Sequence, residues 1–214
     1  MMRKLTSPLS LSPAVLPLAL VLLAVSTWVQ AAEHRLLIIG DSLSDAYDMS
    51  REAGWAHLLA ERLGDDWTVV NAAISGETTA GAAYRTPDLL EAHAPDHVLI
   101  ILGGNDGLRA LSPAQVHRNL AAIIDQSKAS GAKVALMQIR LPASLGPVYL
   151  RRFEGLYPSL AEHHEVELLP FFLETIFDQP GMIMADGIHP TEAAQPLMLE
   201  QVWPSLSEFL RVPQ

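Results

Sequence analysis

The chain has 214 residues, of which 50% are hydrophobic and 18% charged, enough for one compact core and too few for two comfortable domains. A formal charge of −10 makes it a poor partner for nucleic acid, whose phosphates require a basic face. The absence of cysteine excludes disulfides, thiol catalysis and thiolate metal sites, so stability must come from core burial and hydrogen bonding.

At the start, Arg3 and Lys4 precede an apolar stretch over residues 14–25, and small residues follow at Ala31 and Ala32. This is the pattern of a secretory signal peptide over residues 1–31, cleaved after Ala31 or Ala32. The uninterrupted apolar part falls short of the ~20 residues a spanning helix needs, and Pro13 and Pro17 break it further. No stable membrane insertion is expected once it is removed. Its loss takes Arg3 and Lys4 away and moves the formal charge from −10 to −12. Residues 32–214 are expected to form a single exported domain, periplasmic or secreted, with a monomer favoured.

Beyond the signal, apolar runs recur before small-residue turns. "RLLIIG", "WTVVNA", "HVLIILGG", "KVALMQI" and "VELLPF" read as five strands. Helical patterns fill the gaps at 55–63, 79–92, 113–130, 150–163 and 191–210. The strands are nearly continuous runs of Val, Ile and Leu, as burial on both faces of a parallel sheet demands. The expectation is an α/β fold, a three-layer α/β/α sandwich. In such folds ligands bind beyond the carboxyl ends of the strands, so the residues after each strand are the ones to read. A proline-flanked loop at 142–147 follows the fourth strand and is placed to shape a groove.

Four stretches carry chemistry. In "GDSLS", Ser42 stands just past the first strand near the start of a helical turn, an exposed hydroxyl suited to nucleophilic attack. Gly-Asp-Ser is equally ordinary turn and capping chemistry, so the serine needs partners. "ADGIHP" supplies them, because Asp186 and His189 are three residues apart, a spacing at which helically curled backbone brings side chains together. An imidazole that takes a serine proton must be held in one tautomer and have its charge compensated, which a bonded aspartate does. The same turn also reads as the start of the last helix, with Pro190 at the first helical position. "NAAISGETTAG" after the second strand offers the Gly76 amide, and "GGND" after the third offers the Asn105 side chain. With the Ser42 amide these make three donors for an oxyanion. Each stretch alone is a common turn, but together they fall at the ends of three different strands.

In that order and spacing, "GDSLS", "NAAISGETTAG", "GGND" and "DGIHP" resemble the four signature blocks of the SGNH (GDSL) hydrolase family. The resemblance implies a flavodoxin-like five-stranded parallel sheet and a serine esterase needing no cofactor and no metal. It also implies Ser42 as nucleophile, His189 as base, Asp186 as its partner, and Gly76 and Asn105 completing the oxyanion hole. "GGNDGLR", "LMQIRLP" and "LLPFF" further resemble a periplasmic branch with acyl-CoA thioesterase, lysophospholipase and arylesterase activities. That implies a small-molecule acyl ester or thioester substrate. It also implies a loop at 107–112, including Gly107, Leu108 and Arg109, over an acyl groove lined by Leu141 and Pro142. Where the family often shows Ala-Gly-Tyr, this chain has Asp45-Ala46-Tyr47, which adds a charge and a methyl group near the nucleophile.

Two other readings differ in what they require. A carbohydrate acetylesterase of the same superfamily needs a shallow polar groove, and a non-catalytic binding protein would leave Ser42 inert to a serine-directed phosphonate. The "EHHEVE" stretch at 162–167 is a poor metal cluster, since adjacent His163 and His164 diverge on a helix. The residue two after the nucleophile is Ser44 where a Gly-x-Ser-x-Gly elbow would have glycine, which sets the chain apart from the standard α/β-hydrolases.

Overall fold

The structure, a computed structural model, describes residues 34–213. The expected signal peptide, residues 1–31, lies outside the described residues.

Strands β1 (His34–Gly40), β2 (Trp67–Asn71), β3 (His97–Ile101), β4 (Lys133–Met137) and β5 (Glu167–Leu169) form one sheet in the order β2-β1-β3-β4-β5. All its pairings are parallel. Between and after the strands run α1 (Trp55–Leu63), α2 (Thr79–His93), α3 (Gly104–Leu108), α4 (Pro113–Ala129), α5 (Pro147–Glu154), α6 (Leu156–His164) and α7 (Gln195–Leu210). Helix α1 packs on α7, while α2 packs on α4 and α4 on α6, giving helical layers on the two faces of the sheet. The architecture is the three-layer, flavodoxin-like sandwich anticipated from the sequence.

The central strands account for this arrangement. Leu36, Leu37, Ile38 and Ile39 of β1 and Val98, Leu99, Ile100 and Ile101 of β3 are fully buried, so consecutive side chains on both faces need cover. Each such side chain contributes about 1.5–3 kcal/mol on burial. The edge strand β2, by contrast, exposes Thr68 and Asn71. Strand order reverses between β1 and β3, which opens a crevice at their carboxyl ends. Gly40 and Ile101 are register partners there, so the residues that follow them emerge side by side.

Some expectations require correction. The helix expected over 150–163 is two helices, α5 and α6, meeting at Gly155. Pro158 lacks the amide that would bond the Glu154 carbonyl, so the ladder is interrupted there. The last helix begins as a 3-10 turn, Glu192–Ala194, with Pro196 in the first turn of α7. Pro190 is therefore not its first helical residue, and it forms an antiparallel bridge with Ile183. No regular helix follows Ser42 directly. A run of turns continues to the 3-10 segment Arg51–Ala53.

Candidate active site

The turn after β1 is held from several sides. The Asp41 carbonyl accepts the amides of Ser44 at 3.0 Å and Asp45 at 3.1 Å. The Asp41 carboxylate accepts the Leu43 amide at 3.1 Å. The buried Trp55 indole donates to the Leu43 carbonyl at 3.1 Å, and Asn71 donates to the Ser44 carbonyl at 2.6 Å. Helix α1 and strand β2 thus brace the loop that presents Ser42.

His189 reaches this place from 147 positions further along the chain. Its backbone is a tight turn rather than the helical curl expected: the Met184 amide donates to the His189 carbonyl at 2.8 Å, and the Gly187 amide to Met184 at 3.0 Å. Asp186 Oδ1 accepts the amides of Ile188 at 2.9 Å and His189 at 3.0 Å. That leaves Oδ2 for His189 Nδ1 at 2.6 Å, and His189 Nε2 lies 2.9 Å from Ser42 Oγ. With Nδ1 donating to the carboxylate, Nε2 is the acceptor that faces the serine hydroxyl. Burial works against the charge on Asp186, but the bonds from the His189 side chain and the two amides outweigh it and hold the carboxyl at about 2. Asp186 is therefore ionised through the neutral range, a charge placed to compensate a positive charge on the adjacent ring.

Asn105 stands in the first turn of α3, and its Nδ2 lies 3.4 Å from Asp41 Oδ2. Asp41 is 2% exposed. Burial pushes its carboxyl up to about 6, against the opposing pull of the Leu43 amide, the His189 ring and Asn105. Asp106, the next residue, accepts the Thr79 amide at 2.9 Å and hydroxyl at 2.7 Å, which fixes α3 to the start of α2. Gly76 is the third residue of a turn closed by the Glu77 amide on the Ile74 carbonyl at 3.0 Å. Its φ of +80° marks a type II turn, which favours glycine at that place. The Ile74 amide ties this turn to the Gly40 carbonyl at 3.2 Å, beside the serine loop.

Ser42, Asn105 and His189 line a cavity of about 180 Å³. Its remaining wall is mostly apolar, with Leu108, Ile139, Leu141, Pro142, Phe171 and Phe177. Leu108, Leu141 and Pro142 occupy the places expected for groove residues, whereas Gly107, Arg109 and Gly76 are not part of the lining. Gly107 is buried beneath Leu141, whose methyl groups occupy the space a Cβ would take. Arg109 donates instead to the Gly76 carbonyl at 3.4 Å. Phe171 and Phe177 were not anticipated as lining, although "LLPFF" contains the first of them and marks the loop after β5. Among the described residues, no group of three or more His, Asp or Glu side chains is placed to hold a metal ion.

A reversed parallel sheet with a serine, an imidazole and a carboxylate in line at its switch point, opening into an apolar cavity, defines a serine hydrolase of carboxylic acid derivatives. The GDSL-like lipase/acylhydrolase family model matches residues 38–196, and the chain belongs to that family. It is 48% identical over 196 residues to esterase TesA of Pseudomonas aeruginosa, covering 90% of this chain and 96% of the relative. It is 46% identical over 178 residues to thioesterase 1/protease 1/lysophospholipase L1 of Escherichia coli, covering 83% and 86% of the two chains. Among solved structures, the psychrotrophic esterase EstA from Pseudoalteromonas, inhibited by monoethylphosphonate, superposes with a TM-score of 0.80 at 38% identity, covering 83% of this chain and 99% of that one.

Proposed function

We propose that the protein is an exported esterase and thioesterase of fatty acyl chains, with Ser42 as nucleophile, His189 as general base and Asp186 as its charge partner. One observation carries the reading: the in-line bonds of 2.6 Å and 2.9 Å from Asp186 through His189 to Ser42, at the mouth of an apolar cavity. Ser42 attacks the acyl carbonyl as His189 Nε2 takes its proton, and the imidazolium returns that proton to the departing alcohol or thiol. Water then attacks the acyl-enzyme by the same route. In both steps the Ser42 and Gly76 amides and the Asn105 side chain stabilise the oxyanion. No cofactor has a role in this cycle.

The apolar lining from Leu108 to Phe177 favours a chain of several methylenes over an acetyl group, which weighs against the carbohydrate acetylesterase reading. Lysophospholipids and aryl esters share that acyl group and fit the same cavity. Export of residues 32–214 after loss of residues 1–31 completes the reading. Among the described residues, no helix is long and apolar enough to cross a membrane.

The test is hydrolysis of p-nitrophenyl esters from acetate to palmitate. Each methylene buried adds up to about 0.8 kcal/mol, so kcat/KM rises severalfold per carbon until the groove is full. Best activity on acetate, with no gain on longer esters, rejects the acyl-groove reading. A Ser42→Ala protein that still reacts with a phosphonate rejects the nucleophile.

A further inference from the structure

We propose that Asp45 is a positioning residue that locks the turn bearing Gly76, so that the Gly76 N–H faces the nucleophile. The inference rests on the reading of Gly76 as an oxyanion donor.

The peptide linking Ser75 to Gly76 is the central peptide of the type II turn. Type I and type II turns differ by a half-rotation of that peptide and little else, so the amide of Gly76 can point to either side of the loop without moving its ends. Something must select the side. Asp45 Oδ2 accepts both the Ser75 amide at 2.9 Å and the Ser75 hydroxyl at 2.8 Å. Two bonds to one oxygen fix the backbone and the rotamer of the residue just before the peptide in question. On its far side, Arg109 holds the Gly76 carbonyl at 3.4 Å. The other Asp45 oxygen lies 3.9 Å from the guanidinium of the exposed Arg51, a contact too loose to orient the carboxylate, so the two bonds to Ser75 set its direction. Asp45 sits three residues after Ser42, in the same run of turns, so the clamp joins the nucleophile loop to the donor loop directly.

A negative charge beside a developing oxyanion gives no electrostatic help. The contribution of Asp45 is therefore geometric, and an asparagine, whose carbonyl oxygen accepts the same two bonds, retains most of it. Because the Gly76 amide acts on the transition state alone, a loosened turn lowers kcat and leaves KM unchanged.

The experiment compares wild type, Asp45→Ala, Asp45→Asn and Asn105→Ala on one p-nitrophenyl ester, with inhibition by a trifluoromethyl ketone of matched acyl length. Asp45→Ala is expected to lose about tenfold in kcat, short of the ~10²–10³ for deleting a donor outright. Its KM is expected to stay constant and its ketone affinity to fall by the same factor as kcat. Asp45→Asn should keep activity within about threefold of wild type. A kcat within twofold of wild type in Asp45→Ala, a loss confined to KM, or equal losses in the alanine and asparagine variants overturns the clamp. Asn105→Ala in the same assay then separates the two failures. If it still loses activity, the oxyanion hole stands without the clamp, and if it does not, the hole itself is misassigned.

Discussion

Tyr47 lies face to face on His189, with ring centroids 4.0 Å apart and planes inclined by 19°. In the proposed cycle the imidazole becomes a cation when it takes the Ser42 proton, and the π face of tyrosine attracts that cation more than the neutral ring. At a partly exposed site the difference is about 0.5–1 kcal/mol. Tyr47→Leu is therefore expected to lower kcat by about two- to fivefold, while Tyr47→Phe, which keeps the face, stays near wild type. Saturating-ester kinetics on the two variants check this, and equal loss in both would assign the role to the phenol hydroxyl instead.

Asn105 has two amide hydrogens. One is directed at Asp41 Oδ2, 3.4 Å away, which orients the group and leaves the other for the cavity. Asn105→Ala is expected to lower kcat by ~10²–10³ with an unchanged unfolding midpoint, since the side chain is only partly buried. A loss below threefold removes Asn105 from the proposed oxyanion hole.

Ser42 and His189 meet through a single 2.9 Å contact, so in the proposed cycle neither performs its step without the other. Ser42→Ala, His189→Ala and the double variant should lose similar factors in kcat, because groups that act as a unit do not contribute additively. Losses that multiply would show two independent contributions and would break the proposed proton path.

The sheet and the site were legible to different degrees, for physical reasons. Strands β1 and β3 stand out because Leu36 to Ile39 and Val98 to Ile101 are buried on both faces, which forces unbroken apolar runs in the sequence. Ser42, Asn105 and His189 were legible because each follows a strand or sits in a tight turn of recognisable composition. The pairing of Asp186 with His189 was foreseen, but through helical spacing. The structure achieves it by turning one carboxylate oxygen to two backbone amides and the other to the ring. The clamp from Asp45 to Ser75 spans 30 positions, and the stack of Tyr47 on His189 spans most of the chain. No local pattern encodes such distances. Gly107 illustrates the opposite case: the resemblance implied a groove residue there, whereas Gly107 lies outside the cavity lining and Leu141 occupies the space a Cβ would take.

At the opposite end of the sheet from Ser42, His97 opens β3 at 4% exposure, with neither ring nitrogen hydrogen-bonded. It packs against Trp67 and Phe209, with centroids 5.3 Å away in each case. Burial lowers its pKa to about 4, helped by Lys133, His34 and Arg211 and opposed by Asp96. In the unfolded chain the ring takes a proton below its ordinary 6.5, while the folded protein resists until about 4. The stability that His97 permits is therefore complete above about 6.5 and is lost progressively as pH falls toward 4. At pH 5 the linkage amounts to about 2 kcal/mol. His97→Phe preserves the aromatic packing and abolishes the titration, so urea unfolding at pH 5 should show it more stable than wild type by about that amount. At pH 8 the protonation difference vanishes, and only the smaller gain from removing two unpaired buried nitrogens remains. If wild type and His97→Phe lose stability in parallel between pH 8 and pH 5, the acid sensitivity of the fold resides in other groups.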